Sequence, residues 1–184
     1  NGDTIFRGTL AAGDLNDTNG GKRTLYRNPA AKSTGGLYSV LITPRHEASA
    51  AHAAAAYARL TGRLGVCMAS NGPGVANILP GLVVEQAEGN RVLCITSARR
   101  TGAMYPLRTG TYQGFDQSAV IGAFAKWSRV VPSFDRIGEL MRSALRESWE
   151  GRPGVVHLDV PENVMNGKVA ANPPVLPPSA YRRT

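Results

Sequence analysis

A chain of 184 residues, 42% of them hydrophobic, is long enough for one well-filled domain that buries roughly 70% of the surface its unfolded form exposes, and no apolar run approaches the ~20 residues needed to cross a bilayer. The net charge of +8 raises nucleic acid as a partner, but the cations form no single block: Lys22, Arg23, Arg27 and Lys32 fall in an irregular early stretch, Arg99, Arg100 and Arg108 in a loop, and Arg182 and Arg183 at the end. The few aromatic residues are not interleaved with them as a single-strand-binding surface requires, so neither nucleic acid nor membrane is the expected partner.

In chain order, residues 3–12 read as a short helix, and 13–36 then loses all pattern. It is rich in Gly, Asn, Thr and basic residues, and a structureless stretch of that length is uncommon inside a compact domain. From 37 the rhythm is regular: a strand over 37–43, a helix over 47–60, a strand over 65–70, a helix over 74–88 and a strand over 91–97. A long loop to 114, a short helix over 116–123, a strand over 125–131, a helix over 134–149 and a strand over 155–160 complete it. Strands alternating with helices predict an α/β fold, a mostly parallel sheet with helices on both faces, and the runs Val66-Cys67-Met68-Ala69 and Val92-Leu93-Cys94-Ile95 have the near-continuous apolar character of doubly buried strands. The domain is expected over 1–164, with 13–36 irregular. The stretch 165–184, with Pro173, Pro174, Pro177 and Pro178, reads as an extended linker.

Cys67 and Cys94 each lie in an apolar run, where a cysteine is usually a small buried hydrophobe, and two make no disulfide framework. The start also lacks the charged, apolar and small-residue sequence of a secretory signal. A cytoplasmic location is the expectation.

The passage Thr43-Pro44-Arg45-His46-Glu47 hands a strand over to an alanine-rich helix and leaves one carboxylate at the junction. Proline suits a helix opening and an acid suits its N-terminal dipole, so local sequence alone makes Glu47 a helix-end residue. In open α/β sheets, however, ligands bind beyond the carboxyl ends of the strands. Three loops qualify there: 44–47, Ser70-Asn71-Gly72-Pro73-Gly74, and 98–114.

Other chemistries are set aside. His46 and His52 are six residues apart, about 240° around a helix, where two zinc ligands on one face need a spacing near four. There is no phosphate loop and no Gly-x-Gly-x-x-Gly. Ser70 has no evident histidine partner, and His157, in the last apolar strand, reads as a satisfied structural histidine.

Arg45-His46-Glu47, Ala50-Ala51-His52-Ala53-Ala54, Tyr57-Ala58-Arg59, Gly72-Pro73-Gly74 with Asn77, and Gly151-Arg152-Pro153-Gly154 before Leu158-Asp159-Val160-Pro161 together resemble the pyrimidine-binding (N-terminal) domain of thiamine diphosphate-dependent enzymes, and within these the acetolactate synthase group. The resemblance covers about residues 37–164. It implies that Glu47 is catalytic, contacting N1′ of the cofactor's aminopyrimidine and promoting the tautomer that removes the C2 proton. It also implies that Ser70, Pro73 and Asn77 border the pyrimidine, and that Gln113 faces a 2-oxo acid substrate, although Gly114 stands where the group usually has an acid.

The same resemblance implies an enzyme that is a carboligase or decarboxylase, with thiamine diphosphate as cofactor and a homo-oligomer as the working form. Its Mg²⁺ and the diphosphate would be held by a diphosphate-binding domain of the same or another subunit. No such Gly-Asp-Gly and Asn-Asn pattern occurs here, so no metal ligand is expected in this chain, and the isolated 184 residues are expected to be inactive. The linker at 165–184 would lead to a middle domain, which leaves open whether FAD is bound. The early strand and Gly-x-Pro-Gly-like turn usual in the family have no counterpart in 13–36. The alternative is a non-catalytic interaction domain that keeps the fold.

Overall fold

The computed structural model describes residues 23–27, 38–104, 110 and 112–167, and divides the chain into two units, Asn1–Arg45 and His46–Thr184. In the first, β1 (Arg23–Arg27) pairs antiparallel with β2 (Tyr38–Ile42), Leu25 opposite Val40 and Arg27 opposite Tyr38. The strand expected over 37–43 therefore forms, but in a two-stranded antiparallel sheet. Its partner β1 lies within the stretch that showed no pattern. Thr24 and Tyr26 are strand-forming residues, yet what makes 23–27 a strand is cross-strand pairing, which a linear reading does not contain. The helix expected over 3–12 lies outside the described residues, as does the linker from 168 onward.

The second unit is built on a four-stranded sheet, β3 (Gly65–Ala69), β4 (Val92–Ala98), β5 (Trp127–Val130) and β6 (Val155–Pro161), in the order β3-β4-β6-β5 with each neighbouring pair parallel. The α/β fold with a parallel sheet is thus the observed one. Alternate side chains of the strands point to opposite faces. Cys67, Val92, Cys94 and Val155 join the core beneath α1 (Glu47–Thr61) and α2 (Pro73–Glu88), whereas Leu93, Val156 and Leu158 join the core beneath α5 (Ile137–Trp149).

α1 buries Ala51, Ala54, Ala55 and Ala58, the i, i+3, i+4, i+7 stripe of a helix lying on a sheet. It ends at Gly62 in the left-handed region, φ 69°, as helices commonly do. Short helices α3 (Thr101–Met104), α4 (Gln117–Gly122) and α6 (Glu162–Met165) complete the unit, so the long loop after β4 carries one helical turn. Residues 134–149 divide into a 3₁₀ turn, Phe134–Arg136, followed by α5.

Candidate active site

The carboxyl ends of β3 and β4 open toward the loop 70–74 and the turn before α4. Glu47 is the first residue of α1, and the cap of that helix is His46, whose Nδ1 accepts the Ala48 N–H at 3.2 Å. Pro44 precedes the helix instead of opening it, because His46 in extended conformation supplies the cap. A side-chain acceptor other than Glu47 thus meets one of the free N–H groups of that first turn.

What Glu47 meets is set by how closely α1 and α2 approach. A Cβ on Gly81 of α2 would lie 2.8 Å from the Ala48 carbonyl oxygen and 2.9 Å from the Ala51 Cβ, so glycine is what allows the two helices to touch. Seven residues earlier, nearly two turns and hence on the same side of α2, a Cβ on Gly74 would lie 2.5 Å from Ser70 Oγ and 3.7 Å from Glu47 Oε1. Glu47 and Ser70 therefore converge over a bare glycine at the start of α2.

Pro73 is the first residue of α2 and Asn77 lies one turn on; both are exposed, and four residues apart they share a side of the helix. Gly72, φ 68°, precedes α2 with no side-chain cap. A Cβ there would lie 2.6 Å from the Gln113 Cβ and 2.8 Å from its Cα, which places Gln113 against the loop. Gln113 itself holds φ 60°, a left-handed conformation that costs a non-glycine residue of order 1–3 kcal/mol and persists where surroundings enforce it. Of the five residues expected at the site, Glu47 and Ser70 meet at Gly74, and Gln113 meets the adjoining Gly72. An apolar cleft of about 280 Å³ walled by Met68, Ile95 and Met165 opens beside Ser70 and Ser97.

Beneath this end lies a buried polar cluster that the sequence did not reveal. The Thr96 hydroxyl donates to Asp159 Oδ1 at 2.6 Å and sits 2.8 Å from His157 Nε2. With its one hydrogen so used, Thr96 Oγ1 accepts from His157 Nε2–H, which leaves Nδ1 to accept from Ser128 Oγ at 2.8 Å. Gln117 Nε2 donates to Asp159 Oδ1 at 2.6 Å and to the Ser97 carbonyl at 2.7 Å. Burial pushes the Asp159 carboxyl above its ordinary range, opposed by the hydrogen bonds from Thr96 and Gln117. Burial also lowers His157 to about 4, so this histidine is neutral and structural. Gln117 carried no motif; the only signal was an amide at the start of a short helix.

Three further residues have clear structural places. His52 Nδ1 lies 2.5 Å from Glu85 Oε1, and Asn90 donates to the other oxygen, so His46 and His52 do point to different partners. Cys67 and Cys94 are buried free thiols in adjacent strands, and the Cys67 thiol together with burial pushes Cys94 well up. Among the described residues, no cluster of three His, Cys, Asp or Glu side chains could hold a metal ion, and no helix is long and apolar enough to cross a membrane.

Residues 33–120 match the family of thiamine pyrophosphate enzymes, N-terminal TPP binding domain. The matched stretch is a pyrimidine-binding domain of the acetolactate synthase-like group. Over 124 residues, 67% of its length, this chain is 37% identical to the acetolactate synthase of Mycobacterium bovis. It is 31% identical over 135 residues to the catabolic acetolactate synthase of Raoultella terrigena, and 38% identical over 120 residues to the acetolactate synthase large subunit of Cyanidium caldarium. The aligned part is 73% of this chain in the second case and 65% in the third. The chain spans only 20%, 24% and 20% of these relatives, respectively.

The residues present fit one half of thiamine diphosphate. A carboxylate and a hydroxyl brought near each other by a glycine that has no room for a Cβ suit the polar edge of an aminopyrimidine, and among the described residues the Asn71 Nδ2 of the same loop is a buried donor with no partner.

Proposed function

We propose that this domain is the pyrimidine-binding part of a thiamine diphosphate-dependent 2-oxo acid decarboxylase or carboligase of the acetolactate synthase type, with Glu47 as its catalytic residue. The observation that carries the reading is the convergence of Glu47 Oε1 and Ser70 Oγ on Gly74, at a helix end that His46 already caps. When bound, the cofactor supplies the electron sink that such chemistry needs.

The chain's own part is to bind and to move a proton. Glu47 would share a proton with the ring nitrogen N1′ through its carboxylate, while Ser70, Pro73 and Asn77 would border the pyrimidine, and Gly72 and Gly74 let Gln113 and Ser70 close on the loop. Gln113, across Gly72, orients a small 2-oxo acid. Mg²⁺ and the diphosphate would be held by a diphosphate-binding domain of the same or another subunit, and the working form is a homo-oligomer. The buried free thiols of Cys67 and Cys94 suit a reducing cytoplasm.

The test compares the complete gene product with the isolated 184 residues, each given pyruvate, thiamine diphosphate and Mg²⁺. The complete product is expected to release CO₂ or form an acetohydroxy acid only with the cofactor present, and the isolated chain to turn over nothing. A complete product that binds no thiamine diphosphate would overturn the reading and leave a non-catalytic interaction domain.

A further inference from the structure

The site has two halves on different segments, and nothing in the loop 70–74 alone fixes where Gln113 stands. Gln113 holds an unfavourable left-handed φ of 60° pressed on Gly72, so its surroundings must enforce it. Four residues on, Gln117 is 1% exposed and spends both hydrogens of its amide on the floor of the crevice: one on the Ser97 carbonyl at the end of β4, one on Asp159 Oδ1 in β6. Ser97 in turn holds the other half, its hydroxyl accepting the Asn71 N–H at 2.9 Å. Both halves are thereby hung from one residue of β4, the loop from its side chain and the turn from its carbonyl.

We propose that Gln117 is a positioning residue: its two-pronged anchor to Ser97 and Asp159 holds the turn 112–116 so that Gln113 stays against Gly72 and the substrate side of the site keeps its distance from Glu47. The part played by substrate rests on the function proposed above, whereas the anchoring does not. A helix-filling or core-packing role for Gln117 would be served as well by methionine, which has similar length and no donors. The anchoring role would not.

The experiment uses the complete gene product and Gln117→Met. Without cofactor, hydrogen–deuterium exchange of peptides covering 112–116 is expected to quicken about tenfold or more while those covering 155–160 keep the parent's rate, the signature of local opening. With cofactor and pyruvate, KM is expected to rise about tenfold while C2 exchange of the bound cofactor stays within about twofold, since Glu47 and Gly74 are untouched. Unchanged exchange at 112–116, or equal acceleration at 155–160, would overturn the proposal. If the variant does not fold, the parent decides: by NMR the Gln117 side-chain amide and the backbone amides of 113–116 should show protection equal within about threefold, because they open together, and a gap of a hundredfold or more would overturn it. Should the complete product bind no thiamine diphosphate, the function falls while the exchange result still decides the anchor.

Discussion

The seam between α1 and α2 and the polar cluster beneath α4 flank the same crevice and are held by opposite means. The seam uses absence: Gly74 and Gly81 leave room for Ser70, Glu47, Ala48 and Ala51 to come close, so dispersion and steric fit place the carboxylate. The cluster uses direction: Thr96, Gln117, Asp159 and His157, all at most 1% exposed, are placed by hydrogen bonds that low dielectric strengthens and that burial makes costly to break. A site built from both has one wall set by shape and one by polarity, and the two should fail under different stresses.

Acid should strain the polar wall first. His157 is held neutral down to about 4 in the folded protein by burial, while an unfolded chain takes up the same proton near 6.5. Protons therefore favour unfolding between those values, and stability falls as pH drops through that window, by up to roughly 3 kcal/mol from this group alone. Asp159 acts in the other sense: its carboxyl is raised by burial, so stability declines as pH rises above its ordinary value. The two partly offset. Chemical denaturation between pH 4 and 7 should show a steeper acid loss for the parent than for His157→Leu, and equal slopes would remove His157 from the cluster's balance.

Volume should strain the other wall. Gly81→Ala puts a methyl 2.8 Å from the Ala48 carbonyl oxygen, and is expected to cost about 1–3 kcal/mol as the helices separate, with slower C2 exchange in the complete enzyme because Glu47 rides on α1. Its acid slope should match the parent's. A melt within a few tenths of a kcal/mol of the parent's would show that α1 and α2 have slack.

The smallest effect belongs to the edge of the polar wall. Asp116 caps α4 by accepting the Ala119 N–H at 3.0 Å, so Asp116→Ala should lower stability by about 1 kcal/mol. Hydrogen exchange should quicken through Gln117–Gly122 and leave α1 and α2 unchanged.

The same contrast explains what the sequence could show. Helices and strands of the second unit were legible because apolar periodicity reports burial: the stripe Ala51, Ala54, Ala55, Ala58 and the run of β4 state their own environment, whereas the equally apolar run of β3 misleads, since β3 is an edge strand with Val66 48% and Met68 59% exposed and is not doubly buried. Glu47, Ser70 and Gly74 were singled out by residue types at fixed spacing, although which residue caps α1 was not legible. Pairing was hidden, since nothing in Arg23–Arg27 names Tyr38–Ile42 as its neighbour. Hidden for the same reason was the link of Gln117 to Asp159, two polar residues 42 positions apart that only the fold brings together.

The most direct test is Glu47→Gln in the complete enzyme, read by hydrogen–deuterium exchange at C2 of bound thiamine diphosphate beside a thermal melt. Glutamine keeps the size and packing at the Gly74 floor but cannot share a proton with N1′, so exchange should slow about 10²- to 10⁴-fold, with stability changed by less than about 1 kcal/mol. A variant that exchanges C2 as fast as the parent would make Glu47 a helix-end charge and nothing more.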